Sequence, residues 1–176
     1  MTARRPRFAL IKRTVHSLLL EHAIYGPAVP VERIAEESGI EVQYGDLGET
    51  SGLLARKPGV TIIGVNSEQS KQRQRFTIAH EFGHYLLHEG LGAHVDREYR
   101  INFRDATSSQ ASSVLEIEAN FFAANLLMPE DFLEADDAEL AIDDDVQVAK
   151  LASRYGVSRH AMSLRLGKLY GQSRPF

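Results

Sequence analysis

The residues with the clearest chemical potential in this chain are consecutive: His80-Glu81-Phe82-Gly83-His84. Four residues is slightly more than one helical turn, so on a helix both imidazoles leave the same face and can bind a single zinc ion. Glu81 then lies about 100° around the helix from His80, where it can reach a zinc-bound water without binding the metal itself. So short a pattern also arises by chance, and its weight depends on what else the chain supplies.

A catalytic zinc needs three protein ligands and an open position. The chain has no cysteine, so the third donor must be His, Asp or Glu, and disulfides, thiolate catalysis and iron–sulfur clusters are excluded together. His88 continues the i, i+4 series but sits about 12 Å along the helix axis from His80, too far for three imidazoles to meet at one ion. The metzincin spacing would place its next histidine where Gly90 stands. A carboxylate from a second helix is the remaining donor, and Glu116-Ile117-Glu118-Ala119-Asn120 offers two. Glu116 shares a helical face with Asn120, Ala123 and Leu127, which makes Glu116 the preferred third ligand and Asn120 the residue placed to orient a ligand from behind. Glu118, about 200° away on the same helix, is the alternative third ligand. Without the His pair, both acids would read as ordinary solvated helix residues.

The elements that must position these groups are legible from periodicity. Leu10, Ile11, Val15, Leu18 and Leu19 mark a first helix from Phe8 to about Tyr25, ended by Gly26-Pro27, and a short helix over 31–38 follows. Residues 40–44 alternate like a strand. Residues 52–55 and 60–65 flank Arg56-Lys57-Pro58-Gly59 as a β-hairpin. Its second strand precedes the metal-motif helix, at about 69–89, and an extended peptide could pair with free backbone groups along that strand, although an ordinary core hairpin reads equally well. Residues 91–112 are polar and poorly periodic. A second long helix spans about 113–128, and Pro129 opens another as its first residue.

The chain has 176 residues, 43% hydrophobic and 25% charged, which suits one globular domain with a real core and excludes collagen-like and disordered classes. No run spans a bilayer and the basic N-terminus lacks the apolar core of a signal peptide, so a cytoplasmic protein with no membrane partner is expected. The arm carrying Arg4, Arg5 and Arg7 reads as a frayed, solvated segment. The net charge of -4 argues against a chain-wide nucleic-acid binder, yet residues 130–145 hold nine acids and no Lys or Arg, while 146–176 hold six Lys or Arg and no acid.

That basic segment has the pattern of a helix-turn-helix: Ala152 lets two helices approach, Gly156 permits the turn and Ser158 can cap the second helix. An αα-hairpin closing the main domain uses the same devices and is preferred to DNA binding. The division expected is therefore a core over 1–145 and a helix-turn-helix-like segment over 146–176 packed on it.

Residues 75–84, Arg75-Phe76-Thr77-Ile78-Ala79-His80-Glu81-Phe82-Gly83-His84, followed by Glu116 through Pro129 with its Glu118-Ala119-Asn120 and Leu126-Leu127-Met128-Pro129, resemble the ImmA/IrrE family of zinc metallo-endopeptidases. The likeness extends over most of the chain. It implies an α+β, mainly helical, zincin-like peptidase domain with a small early sheet, with His80 and His84 as zinc ligands, Glu81 as general base and Glu116 as third ligand to one Zn2+ per chain. It also implies a regulatory substrate, commonly a helix-turn-helix repressor or antitoxin-like partner encoded nearby. In such chemistry zinc acidifies a bound water and polarises the scissile carbonyl. An oxyanion donor is needed as well, for which Tyr85, His88, His94, Tyr99 and Tyr155 are candidates. The rival from another class is a DNA- or repressor-binding regulator whose zinc site is not catalytic.

Overall fold

A computed structural model describes residues 5–89, 93–96 and 111–171, with side chains from 114 onward in the last stretch and backbone alone for 93–96. Helix α1 (Phe8–Glu21) buries Ile11, Val15, Leu18 and Leu19 along one stripe. It stops short of Tyr25 because Ala23 turns left-handed (φ 52°), so that Ile24 N–H donates to Leu19 O at 2.8 Å and Ala23 N–H to Leu20 O at 3.1 Å. These are the paired bonds of a Schellman cap, here built without glycine. Helix α2 (Val31–Glu37) follows, lying on both strand β1 and helix α3.

The sheet comprises β1 (Ile40–Gly45), β2 (Gly52–Lys57), β3 (Val60–Asn66) and β4 (Ala93–Asp96) in the order β1-β3-β2-β4. The Pro58-Gly59 turn joins β2 and β3 with Lys57 opposite Val60, while β1 runs parallel to β3 with Ile40 opposite Thr61. Two expectations change here. Strand β3 is flanked on both sides, so its backbone groups are spent on β1 and β2 and it offers no free edge for a peptide. A fourth strand stands within the stretch read as irregular, pairing antiparallel with β2 from Gly52 opposite Asp96 to Ala55 opposite Ala93. Four residues after Gly92 carry too little alternation to show a strand from sequence.

Helix α3 (Lys71–Leu87), capped by the Ser70 hydroxyl accepting from Arg73 N–H at 3.3 Å, packs on β2 and β3 with one face and on α4 (Ala111–Leu127) with another. The crossing with α4 is close at Gly83, where an added Cβ would stand 3.0 Å from Phe122 Cδ1 and 3.2 Å from its Cβ. Leu54, Ile63, Ile78, Phe82, Phe122 and Leu126 fill the core between sheet and helices.

Beyond α4, Pro129 serves as N-cap of α5 (Glu130–Ala135) rather than as its first residue, and a 3-10 turn (Ala138–Ala141) leads to α6 (Asp145–Tyr155) and α7 (Arg159–Tyr170). Asp144 caps α6 through Val146 and Gln147 N–H, Gly156 makes the left-handed turn (φ 65°), and Ser158 Oγ accepts from Ala161 N–H at 3.1 Å to cap α7. The opposite charges of neighbouring segments meet: Arg154 lies 2.9 Å from Asp136 and Arg159 3.6 Å from Asp145. Tyr155 donates its hydroxyl to Asp136 at 2.9 Å, and the buried Arg165 donates to Met128 O at 3.1 Å and Asn125 Oδ1 at 3.0 Å. Arg75 of α3 donates to Gly156 O at 3.2 Å and Val29 O at 2.8 Å. The result is an α+β fold, mainly helical, with one small sheet near the start of the chain.

Candidate metal centre

Helix α3 supplies His80 and His84 one turn apart, and α4 brings Glu116 against both. His80 Nε2 and His84 Nε2 are 3.1 Å apart, Glu116 Oε2 is 3.3 Å from His80 Nε2, and Glu116 Oε1 is 3.2 Å from His84 Nε2. A tetrahedral ion bound at the usual zinc–nitrogen and zinc–oxygen lengths separates its ligands by about 3.3 Å. The triangle of donors therefore has the edges of one face of a tetrahedral site. Two neutral imidazoles and one carboxylate also suit zinc as a borderline-soft ion. Among the described residues these three form the one cluster of this kind.

Both imidazoles are buried, whereas Glu116 is 37% exposed, so the triangle lies at the edge of the core with the carboxylate on the solvent side. Glu81 is fully buried on α3 between the two histidines in sequence. Behind His80, Nδ1 is 3.0 Å from Asn120 Oδ1, one turn along α4 from Glu116. Phe76 stacks beside the His80 ring at 6.3 Å.

Glu118 takes a place apart from the donor triangle. Its Oε2 is 3.0 Å from His88 Nε2, and it accepts three bonds from Arg7: backbone N–H at 2.8 Å, Nε at 2.9 Å and Nη2 at 2.7 Å. Burial alone would raise its pKa, but the bonds from Arg7 and His88 outweigh it and hold the carboxyl at about 2. The arm at Arg7 is thus tied to the core rather than solvated, because a buried carboxylate needs a cation and Arg7 provides it in bidentate form. His88 stands behind His84, Nδ1 to Nδ1 at 2.9 Å, and its burial pulls its pKa below the usual histidine value. Distance excludes His88 as a metal ligand, and the sequence otherwise offers it only as an oxyanion candidate. The same i, i+4 spacing that joins His80 to His84 joins His84 to His88, and was the available signal.

Among the oxyanion candidates, Tyr155 is engaged with Asp136 and His88 with Glu118. Tyr85 stacks on Phe82 at 6.3 Å and lies under the Arg56 guanidinium at 5.1 Å, and Arg56 Nη2 donates to Tyr85 O at 2.8 Å near the end of α3. The His94 side chain and Tyr99 fall outside the described residues.

The family model described as the IrrE N-terminal-like domain of Peptidase_M78 matches residues 35–167, a stretch that runs from α2 into α7 and includes the whole donor triangle. The chain belongs to this peptidase family. Similar proteins include "Metallopeptidase ImmA" of Bacillus subtilis, 29% identical over 124 residues that span 70% of this chain and 66% of the relative. "Radiation response metalloprotease IrrE" of Deinococcus radiodurans is 36% identical over 93 residues, 52% of this chain and 26% of the relative. The chain thus spans just under two thirds of the first and about a quarter of the second. A solved structure titled "Mycobacterium tuberculosis transcriptional regulator" superposes with a TM-score of 0.60 at 17% identity, covering 89% of this chain and 46% of that one. That likeness concerns the fold. The relatives' printed names carry metalloprotease chemistry, and the donor set described above is suited to a metal.

Proposed function

We propose that this chain is a zinc-dependent endopeptidase, acting in the cytoplasm on a regulatory protein such as a helix-turn-helix repressor or an antitoxin-like partner encoded nearby. The observation that carries the reading is the triangle of His80, His84 and Glu116, spaced as one face of a tetrahedral site with a buried Glu81 beside it in α3. Membership of the family and the relatives named metallopeptidase and metalloprotease support it.

In this reading His80, His84 and Glu116 hold one zinc ion per chain. Bound there, zinc supplies a Lewis acid for the scissile carbonyl and acidifies water at neutral pH. Glu81 takes a proton from the attacking water and passes it to the departing amine nitrogen. Asn120 accepts from His80 Nδ1–H and so keeps the lone pair of that ring on Nε2, toward Glu116. Residues 1–145 make the catalytic core, and 146–176 a segment packed on it through Arg165 and Tyr155. No helix among the described residues is long and apolar enough to cross a membrane, in keeping with the location proposed.

The alternative is a DNA- or repressor-binding regulator with a non-catalytic zinc site. A general base beside two ligands has no use in a purely structural site, which favours the enzyme. Co-expression with the product of the neighbouring gene, followed by mass spectrometry, tests the choice. Discrete fragments are expected with the wild type and intact partner with Glu81→Gln. An intact partner in both cases, with zinc bound in both, would favour the regulator.

A further inference from the structure

The two imidazoles of the triangle are supported from behind in different ways. His80 meets an amide oxygen, an atom that only accepts. His84 Nδ1 instead meets a second imidazole, His88 Nδ1, at 2.9 Å. Two ring nitrogens at that distance require one N–H and one lone pair. Which is which is decided at the far side of His88, where Nε2 lies 3.0 Å from Glu118 Oε2. An ionised carboxylate can only accept, so His88 carries its hydrogen on Nε2 and a neutral ring leaves Nδ1 bare. His84 must then donate from Nδ1, which puts its own lone pair on Nε2, the atom 3.2 Å from Glu116 Oε1. Arg7 holds the beginning of the series, with three bonds to Glu118 and a fourth from Nη2 to Leu87 O at 2.9 Å. A guanidinium does not give up its proton, so donors and acceptors can alternate in one sense only.

We propose that Arg7, Glu118 and His88 form a relay of positioning residues that fixes the tautomer and ring orientation of His84 for metal binding. The proposal rests on the reading of His80, His84 and Glu116 as the metal site. Simple packing does not call for such a relay: Glu118 is fully buried and His88 is 4% exposed, and apolar residues of similar volume would fill the same space without desolvating a carboxylate. The relay also lengthens the usual histidine–carboxylate support of a metal ligand by one imidazole, and links the metal helix to a residue ahead of α1.

The tautomers can be read directly by long-range 1H–15N correlation of the imidazoles in the zinc-loaded full chain at neutral pH, since without a cation the bare Nε2 atoms of His80 and His84 would face each other at 3.1 Å. The expected pattern is His84 protonated on Nδ1 and His88 on Nε2; His84 bare at Nδ1, or a doubly protonated His88, would overturn the relay. Zinc affinity by chelator competition is the second readout. His88→Leu should weaken zinc binding on the order of 10–100-fold while circular dichroism shows a folded chain. His88→Gln should recover to within a few-fold, since its Oε1 can accept from His84 and its Nε2 can donate to Glu118. Should His88→Leu not fold, Arg7→Met at the exposed end of the series should still lower zinc affinity several-fold. Wild-type zinc affinity in the folded Leu variant, or in Arg7→Met where it substitutes, would overturn the relay and leave the metal site standing. A wild type that binds no zinc would remove the metal site and the proposal with it.

Discussion

Two helix pairs in this molecule bury polar side chains to a similar depth and use them differently. In α3 and α4, His80, Glu81, His84, His88 and Glu118 are all buried, and the histidines and acids face one another across the crossing. In α6 and α7, the buried Arg165 and Tyr155 reach out to Met128 O, Asn125 and Asp136 on preceding elements. Polar groups directed at backbone carbonyls and single acids are satisfied and finished, and so serve as ties. Polar groups that converge leave a set of donor atoms about one metal diameter apart, which is stabilised only by something placed between them. Burial by itself therefore does not separate a site from a structural tie, and the direction of the buried atoms does.

The largest effect should come from the first pair. Glu81→Gln keeps the volume and the ligands but removes the base, so proteolysis should fall on the order of 10^3-fold while zinc content stays at one per chain. Fragment yield and elemental analysis on the same preparation read both quantities. Retained activity would show that the α3–α4 site acts by some other route.

In the second pair the large effect should be on stability. Met162 of α7 is fully buried, and Met162→Ala should cost about 3 kcal/mol in denaturant unfolding while leaving the zinc affinity of the folded protein within a few-fold of wild type. A collapse of zinc affinity at full stability would mean that α7 belongs to the site.

Glycine substitutions sharpen the contrast with smaller effects of opposite sign. An added Cβ at Gly83 would require Phe122 to give by a few tenths of an ångström, and because Phe122 is fully buried and is met at its Cβ as well as its ring, Gly83→Ala should destabilise by about 1–2 kcal/mol, reaching the metal triangle as well as the core. Gly167, exposed in α7 with nothing within 4 Å of an added Cβ, should gain about 0.5–1 kcal/mol from the same change through helix propensity. Thermal melts of the two variants moving in the same direction would contradict the packing described for one of them.

The same distinction governs what was legible from sequence. The HExxH helix, the second long helix and the hairpin follow from periodicity and short motifs, which are local quantities. Ser158 and Gly156 could be assigned to cap and turn for the same reason, since each acts within four residues of itself. Sheet order is not legible, because placing β3 between β1 and β2 depends on a parallel pairing that skips over the intervening β2 and on no property of β3 alone. Arg7 was missed likewise: its partner Glu118 is 111 residues away, and a basic arm looks solvated until a buried acid is found for it. From sequence Glu118 stands as an alternative ligand or a solvated residue, because helical geometry gives the face of a side chain but not what covers that face.

Small effects are also expected at the arginines of the second pair, and they bear on whether its basic character serves nucleic acid. A helix-turn-helix reader needs cations directed at phosphate, and its affinity must fall steeply with salt as counterions are released. Arg165, at 5% exposure, is turned inward onto Met128 O and Asn125 Oδ1 and has no surface to offer a phosphate. Arg159 is 63% exposed and only loosely paired with Asp145. Arg165→Met should therefore cost about 1 kcal/mol, as two buried acceptors lose their donor while the desolvation of a cation is relieved. Arg159→Ala should change stability by less than about 0.5 kcal/mol. Neither should alter duplex-DNA binding, which should stay weak and lack sequence preference from about 50 to 200 mM salt. Urea melts of the two variants and a fluorescence-anisotropy titration at two salt concentrations check this together. Sequence-selective duplex binding that Arg159→Ala abolishes without loss of stability would make α7 a reading helix and place recognition, rather than closure of the core, in the second pair.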